Sequence, residues 1–347
     1  MDIISLISRG SPTQMTGGHL YHRRMAEFAP AHGAVVERIT ACGLRDPLHR
    51  ARGVVLVDSL TAWTVVPWLL RAGNRRRPIA AIVHQAPGGV DHGRIRTAFQ
   101  RPLDLTLYRR CDLLVATGHS FAHELTDRWR LPAERIRVVE PGCDIPDAVA
   151  APDEDRVLRL GRHLALLNVA NWWPNKGVLE LLDAVATLPR DCVTLHLVGR
   201  EDVHPRYSRR VHERLRAADL AGRVVAHGPL APAQLGPLYA GADAFVSASA
   251  GETYGMVYAE ALAAGLPIVG WRAGALPELV EDGREGCLVP PGDVGGLGRA
   301  LERLSSDEAW RHRLAAAARE RGAALPTWSE SAAGFFAALS QLAGCRG

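Results

Sequence analysis

Leu164-Ala165-Leu166-Leu167-Asn168-Val169 is followed by Asn171-Trp172-Trp173-Pro174-Asn175-Lys176-Gly177 and then by a helical stretch over 178–187. This strand–loop–helix passage decides the fold. The first run is apolar almost throughout, without the alternation of a half-exposed strand, so the strand is expected to be buried on both faces. A strand of that kind needs a helix-covered, largely parallel sheet.

The same rhythm repeats on either side. Upstream, 3–7, 35–39, 53–58, 79–84 and 113–117 read as strands, with helices over 20–31 and 63–70 and a polar, Gly-bearing loop over 9–19. Downstream, strands are expected at 193–198, 224–227, 244–247 and 268–271, separated by helices near 207–218, 235–241 and 254–264. Two closing helices, 309–324 and 329–342, complete the pattern, the second after Pro326-Thr327-Trp328. Composition shifts after Gly142, and the Pro-, Ala- and Asp-rich stretch from Asp144 to Asp155 reads as a linker. The expected organisation is an N-terminal domain 1–145, a linker 146–160, a second domain 161–323 and a C-terminal helix 324–347 packing back on the first domain. The fold class is α/β, with two doubly wound domains facing a central cleft.

The chain has 347 residues, 47% hydrophobic and 22% charged, which excludes a disordered or fibrous protein. Lys and Arg number 41 against 37 Asp and Glu, a net charge of +4 that leaves no nucleic-acid footprint. Among those cations Lys176 is the sole lysine. The six cysteines are scattered without a C-x-x-C pair or metal-ligand spacing, and read as reduced, mostly buried thiols of a cytosolic protein. The apolar start over 3–7 is short and flanked by Asp2 and Arg9, a first strand and not a signal sequence. No run of 18 apolar residues is present, so no membrane span is expected.

Ligands of open α/β sheets bind beyond the carboxyl ends of the strands, and four clusters fall there. Thr16-Gly17-Gly18-His19 opens a helix after the first strand, where small residues admit a ligand and free amides hold an anion. Lys176 lies in a strand-to-helix loop, where a cation meets a phosphate or is simply solvated. In Ser249-Ala250-Gly251-Glu252-Thr253-Tyr254-Gly255-Met256-Val257, Glu252 lies in a loop and Glu260 on the next helix, with Gly255 and Met256 offering amides at its start. That arrangement suits a nucleotide sugar, although either carboxylate alone also fits a solvated helix face. The fourth, Gly270 to Asp293, reads as a strand, a short helix and a hairpin-like segment of architectural residues.

Taken together these clusters resemble the retaining nucleotide-sugar glycosyltransferases of family 4, which have the GT-B fold of two Rossmann-like α/β/α domains. The family's Glu, seven residues, Glu signature reads here as Glu252 and Glu260, and the likeness continues through Gly274, Pro277, Glu278 and Pro290-Pro291-Gly292-Asp293. It also takes in Gly17-Gly18, Val138 to Asp144 and Lys176-Gly177. The resemblance implies that Glu252 contacts donor-sugar hydroxyls, Glu260 the ribose, and Lys176 the diphosphate, with Gly17 and Gly18 closing over the same region. Asn171, Thr253, Tyr254, Gly255, Met256 and Val257 complete the expected donor site, and His84 is the histidine that approaches the reacting sugar. The departures are Asn171, where many relatives carry Arg, and Thr253-Tyr254 in place of Gly-Phe, which alters the wall near the sugar. Arg9, Arg162 or Arg200 is then the second cation to consider.

The implied reaction moves a sugar from a nucleoside-diphosphate sugar, UDP or GDP first, to an acceptor hydroxyl with retention at the anomeric carbon. The alternatives are a GT-B nucleotide-sugar epimerase and a noncatalytic sugar-nucleotide-binding subunit; a dehydrogenase would need G-x-G-x-x-G, which Gly17-Gly18-His19 lacks. No cofactor or metal is expected, since Asp153-Glu154-Asp155 falls in the linker and not at a strand end. Asp58, Ser59, His84, Gln85 and Ser120 are the candidates to line the acceptor side, for a small molecule, a lipid or a polysaccharide. Arg75-Arg76-Arg77 with Arg71, Trp63 and Trp68 would suit a peripheral membrane contact, or no more than a solvated loop, in a protein of the cytoplasm or the inner membrane face.

Overall fold

A computed structural model describes residues 2–9, 17–42, 45–71, 77–89, 94–143 and 154–344. Two compact units emerge, one of Met1–Gly142 with Pro326–Gly347 and one of Cys143–Leu325. The first holds strands β1 (Asp2–Ser8), β2 (Ala34–Thr40), β3 (Val54–Asp58), β4 (Ile79–Val83), β5 (Leu113–Ala116) and β6 (Ile136–Val138). They run in the order β2-β1-β3-β4-β5-β6, all parallel. Every residue of β3, β4 and β5 is buried, as the unbroken apolar runs require when helices cover both faces.

Its helices are α1 (Gly17–Phe28), α2 (Ala62–Leu69), α3 (Arg94–Arg110) and α4 (His119–Asp127). Helix α1 starts earlier than the pattern suggested, taking in Gly17 and Gly18, and gives way to a 3-10 turn at Ala29–His32 that accommodates Pro30. Neither α3 nor α4 was legible: α3 carries Pro102 and five arginines, which hide its period.

The second unit runs β7 (Leu164–Val169), α5 (Val178–Ala186), β8 (Val193–Val198), α6 (Pro205–Leu215), β9 (Val224–Ala226), α7 (Pro232–Gly241) and β10 (Ala244–Ser247). It continues with α8 (Met256–Ala263), β11 (Ile268–Trp271), α9 (Leu276–Leu279), β12 (Gly286–Val289), α10 (Val294–Ser306) and α11 (Glu308–Ala323). The strand order is β12-β11-β10-β7-β8-β9, again all parallel. The segment read as hairpin-like is therefore corrected: β12 adds in parallel beside β11, because the short helix α9 between them carries the chain back to the amino end of the sheet. Within the expected linker, Glu154–Arg159 forms a 3-10 turn, and Arg159 donates from Nε to Asp243 at 2.9 Å; residues 144–153 lie outside the described residues.

The last helix, α12 (Trp328–Gly344), belongs to the first unit. Tyr21 of α1 meets the rings of Trp328 and Phe335 edge-on, and His32 stacks on Phe336 at 4.9 Å. Phe335, fully buried, contributes roughly 2–3 kcal/mol by leaving water.

The thiols differ from expectation. Cys111 and Cys192 are buried, Cys143 and Cys287 half-buried, and Cys42 exposed at a strand-end loop; Cys345 lies outside the described residues. Among the described residues no helix is long and apolar enough to cross a membrane.

Both sheets reverse direction of growth from their first strand: β7 is flanked by β8 and β10, and β1 by β2 and β3. Such switch points are where doubly wound sheets open a crevice. In the second unit Lys176 and Glu252 follow the strands that border that point, β7 and β10; in the first unit Gly17 follows β1, Asp58 ends β3, and His84 follows β4, one strand further out.

Candidate active site

In the second unit the loop after β7 and the loop after β10 meet. Gly177, at φ 65°, caps the start of α5, and a Cβ there would lie 2.0 Å from the Ala248 carbonyl oxygen. Only glycine allows that approach. The amide of Ala250 then donates to the Asn175 carbonyl at 2.7 Å. This stitching brings the Lys176 ammonium onto Glu252 Oε1 across 76 positions of sequence. Their side chains are 21% and 20% exposed, open enough to meet a ligand and sheltered enough for their charges to matter.

Glu252 is held from behind. Its carbonyl accepts from Ala275 N at 2.9 Å, and Ser249 Oγ lies 3.4 Å from Oε1. Gly255, at φ 83°, caps α8, so the helix begins at Met256 and not at Tyr254. No side chain caps this end, which leaves the first amides of α8, at Met256 and Val257, in the orphan state of a helix start. Both residues are half-buried.

Glu260 lies on α8 and accepts from the Tyr239 hydroxyl at 2.8 Å. Burial, and then the neighbouring carboxylate, hold that phenol well above its usual pKa, so it remains a donor. Asn171 turns its side-chain oxygen to the Arg200 amide at 2.9 Å, joining the loops after β7 and β8.

Several expectations change here. The Tyr254 ring is buried in the core with Phe245 and Tyr258, not exposed in the loop. Thr253 remains half-buried in the loop. Arg162 precedes β7, at the amino end of the sheet, and binds the Arg190 carbonyl, so it does not supply a second cation. Arg200 is at the correct end, but its guanidinium is engaged by Asp202 at 3.0 and 2.9 Å.

The first unit has its own cluster. Gly18, in the first turn of α1, passes close to His84, directly after β4: a Cβ on Gly18 would lie 3.4 Å from His84 Nε2. Gly17 beside it is exposed; Thr16 lies outside the described residues. His84 Nε2 is 3.0 Å from His22 Nε2, and His22 Nδ1 faces Asp58 Oδ2 at 4.0 Å. Burial lowers both imidazole pKa values; the neighbouring histidines lower them further, while Asp58 pulls that of His84 part of the way back.

Asp58 and Ser59 are buried and so do not form an exposed acceptor wall. Asp58 Oδ1 caps Leu60 N at 2.9 Å, and Ser59 Oγ accepts from His84 N at 3.0 Å; they brace the histidines instead. Gln85 is half-buried and Ser120 exposed. Of the basic loop, Arg75 and Arg76 lie outside the described residues, and Arg77 is turned onto the Ala51 carbonyl. Arg9 covers Trp63 at 4.6 Å and Arg71 covers Trp68 at 4.2 Å, as ordinary cation–π contacts.

Residues missed from the sequence are His22 and Tyr239. His22 lies four residues after Gly18 on one face of α1, a spacing that could have flagged it. Tyr239 carries no such signal, being set on a different helix from its partner Glu260.

Residues 163–307 match the family described as glycosyl transferases group 1, and residues 37–146 match glycosyltransferase family 4. A phosphatidyl-myo-inositol mannosyltransferase of Mycobacterium leprae is 32% identical over 306 residues, covering 85% of this chain and 73% of that protein. A D-inositol 3-phosphate glycosyltransferase of Xylanimonas cellulosilytica is 30% identical over 239 residues, 66% of this chain; the chain spans 57% of that relative's length. The crystal structure of Anabaena HepE in complex with UDP and glucose superposes with a TM-score of 0.81 at 21% identity, covering 98% of this chain and 100% of the other. That likeness establishes the GT-B fold. The chain belongs to the family 4 glycosyltransferases.

Proposed function

We propose that this protein transfers a sugar from a nucleoside-diphosphate sugar, UDP ahead of GDP, to an acceptor hydroxyl with retention of anomeric configuration. In this reading the second unit holds the donor and the first unit meets the acceptor. The observation that carries it is the Lys176–Glu252 pair at the switch point of the second sheet, beside the uncapped start of α8. Without donor, ammonium and carboxylate satisfy each other. A nucleotide sugar separates them by their chemistry: the ammonium turns to the diphosphate and the carboxylate to the sugar hydroxyls.

The chemistry then follows from charge. As the bond from C1 to the diphosphate breaks, negative charge grows on the leaving oxygens, where Lys176 and the amides of Met256 and Val257 stabilise it. A donor phosphate oxygen takes the acceptor proton on the same face, so neither Glu252 nor Glu260 acts as a covalent nucleophile, and the spacing rule for hydrolase carboxylates does not apply. Glu260 fixes the ribose, with its second oxygen anchored by Tyr239. Gly17 and Gly18 close over the diphosphate region of the donor, and His84 acts on the acceptor side, near the reacting sugar. The bound UDP and glucose of the Anabaena protein support the choice of UDP. The inositol-lipid and inositol-phosphate acceptors in the names of the two relatives support a polyol or lipid acceptor. A protein of the cytoplasm or the inner membrane face is consistent with that chemistry.

Calorimetric titration with UDP, GDP, ADP and dTDP, their sugars, and NAD as a control tests the reading. Selective submillimolar binding of one nucleoside diphosphate is expected, abolished in Glu260→Ala. Binding of NAD, or none by the folded protein, would overturn it.

A further inference from the structure

We propose that His22, Asp58 and His84 form a binding site for a divalent transition ion of the zinc type, one that the sugar-transfer chemistry does not itself require. Among the described residues this is the one group of three His, Cys, Asp or Glu side chains whose ligand atoms all lie within 4.8 Å of one another. Two imidazoles and one carboxylate are a donor set that zinc accepts, with a fourth position left for water.

The geometry favours a site over a chance hydrogen bond. Tetrahedral zinc, with bonds of about 2.0–2.1 Å, holds its ligand atoms roughly 3.3 Å apart. The two Nε2 atoms stand at 3.0 Å and the three ligand atoms within 4.8 Å of one another, so a small opening of the imidazole pair and a closing of the Asp58 carboxylate admit the ion. Two of the three ligands are braced from outside the cluster: Asp58 through Oδ1 on Leu60 N, His84 through its own amide on Ser59 Oγ. Asp58 Oδ2 is turned toward His22. His22 and Asp58 are buried while His84 is half-buried, which gives the ion one route in and an open coordination position.

A second hydrogen-bonded histidine pair among the described residues shows the contrast. His196 and His227 are 2.9 Å apart, but among the described residues no third His, Cys, Asp or Glu completes that group. It is a structural pair. The His22 group lies instead beyond the carboxyl ends of β3 and β4, on the ligand side of its sheet.

An ion held there takes the His84 ring out of use. Zinc is therefore expected to slow sugar transfer reversibly, a consequence that rests on the acceptor-side role proposed above for His84. The binding itself does not rest on it.

The test titrates the metal-free, full-length protein with Zn2+ by calorimetry and with Co2+ by visible absorption. Wild-type protein should take one tight equivalent and give the d–d bands of four-coordinate Co2+. Asp58→Asn retains an oxygen for the Leu60 cap but loses the anionic ligand, and His22→Asn removes one imidazole. Each should weaken the tight phase on the order of tenfold or more. Absence of those bands in wild type, or Asp58→Asn binding as tightly as wild type, would overturn the site whatever happens to His22→Asn. Zinc that binds as described without slowing transfer would uphold the site and remove His84 from the reacting sugar.

Discussion

Replacing Gly274 by Ala should loosen Glu252 without touching its side chain. Gly274 has φ 57°, and a Cβ there would lie 2.4 Å from the Glu252 nitrogen and 2.7 Å from its carbonyl oxygen. The left-handed conformation alone costs an L-residue about 1–2 kcal/mol. The collision is with backbone, so relief means moving the Glu252 segment, which breaks the 2.9 Å bond from Ala275 N and costs about 1 kcal/mol more. The sum is about 2–3 kcal/mol. Gly283, at φ 85° with nothing within 4 Å of its Cβ, is the control, since it bears the first cost only. For a unit of this size 1 kcal/mol moves Tm by roughly 2–4 °C, so Gly274→Ala should melt a few degrees below Gly283→Ala in scanning calorimetry. It should also bind a UDP-sugar less tightly while its affinity for UDP is kept. Equal Tm values and equal sugar affinities in the two variants would refute the reasoning.

Lys176→Met should fold normally and lose about a hundredfold in kcat, the loss typical of removing one group that stabilises transition-state charge; unchanged turnover in a steady-state transfer assay would leave Lys176 outside the reaction. Glu260→Ala orphans the buried Tyr239 hydroxyl and should cost about 1–3 kcal/mol in urea unfolding, whereas Glu260→Gln keeps an acceptor for it and should lose nucleotide affinity with little loss of stability. Burial lowers the pKa of both His196 and His227, so the unfolded chain binds more protons than the folded one below about pH 6.5. Their contribution is constant above that value and is lost as pH falls below it. His227→Gln should flatten the decline of the urea midpoint between about pH 7 and 5.5.

The apolar runs of β3, β4, β7 and β8 made the parallel sheets legible, because a strand buried on both faces has no polar face to interrupt it. Helix boundaries were less legible. The start of α8 moved to Met256 because Gly255 needs the left-handed region, and α3 was hidden because arginine stems can cover apolar surface while their charges stay in water. β12 was misread since a short apolar run with turn residues is compatible with either strand direction.

For the site, the sequence by itself determined the residue types and their loops: Lys176 after one strand, Glu252 after another, Glu260 two turns further on. Tertiary structure alone decided which of them meet. Lys176 reaches Glu252 because β7 and β10 are neighbours in the sheet and Gly177 lets their loops touch. Glu260 is held by Tyr239, and His84 by His22, through contacts between elements that no local spacing encodes. Strand order is set by how whole faces bury one another, and that is a property of the assembled sheet, not of any segment within it.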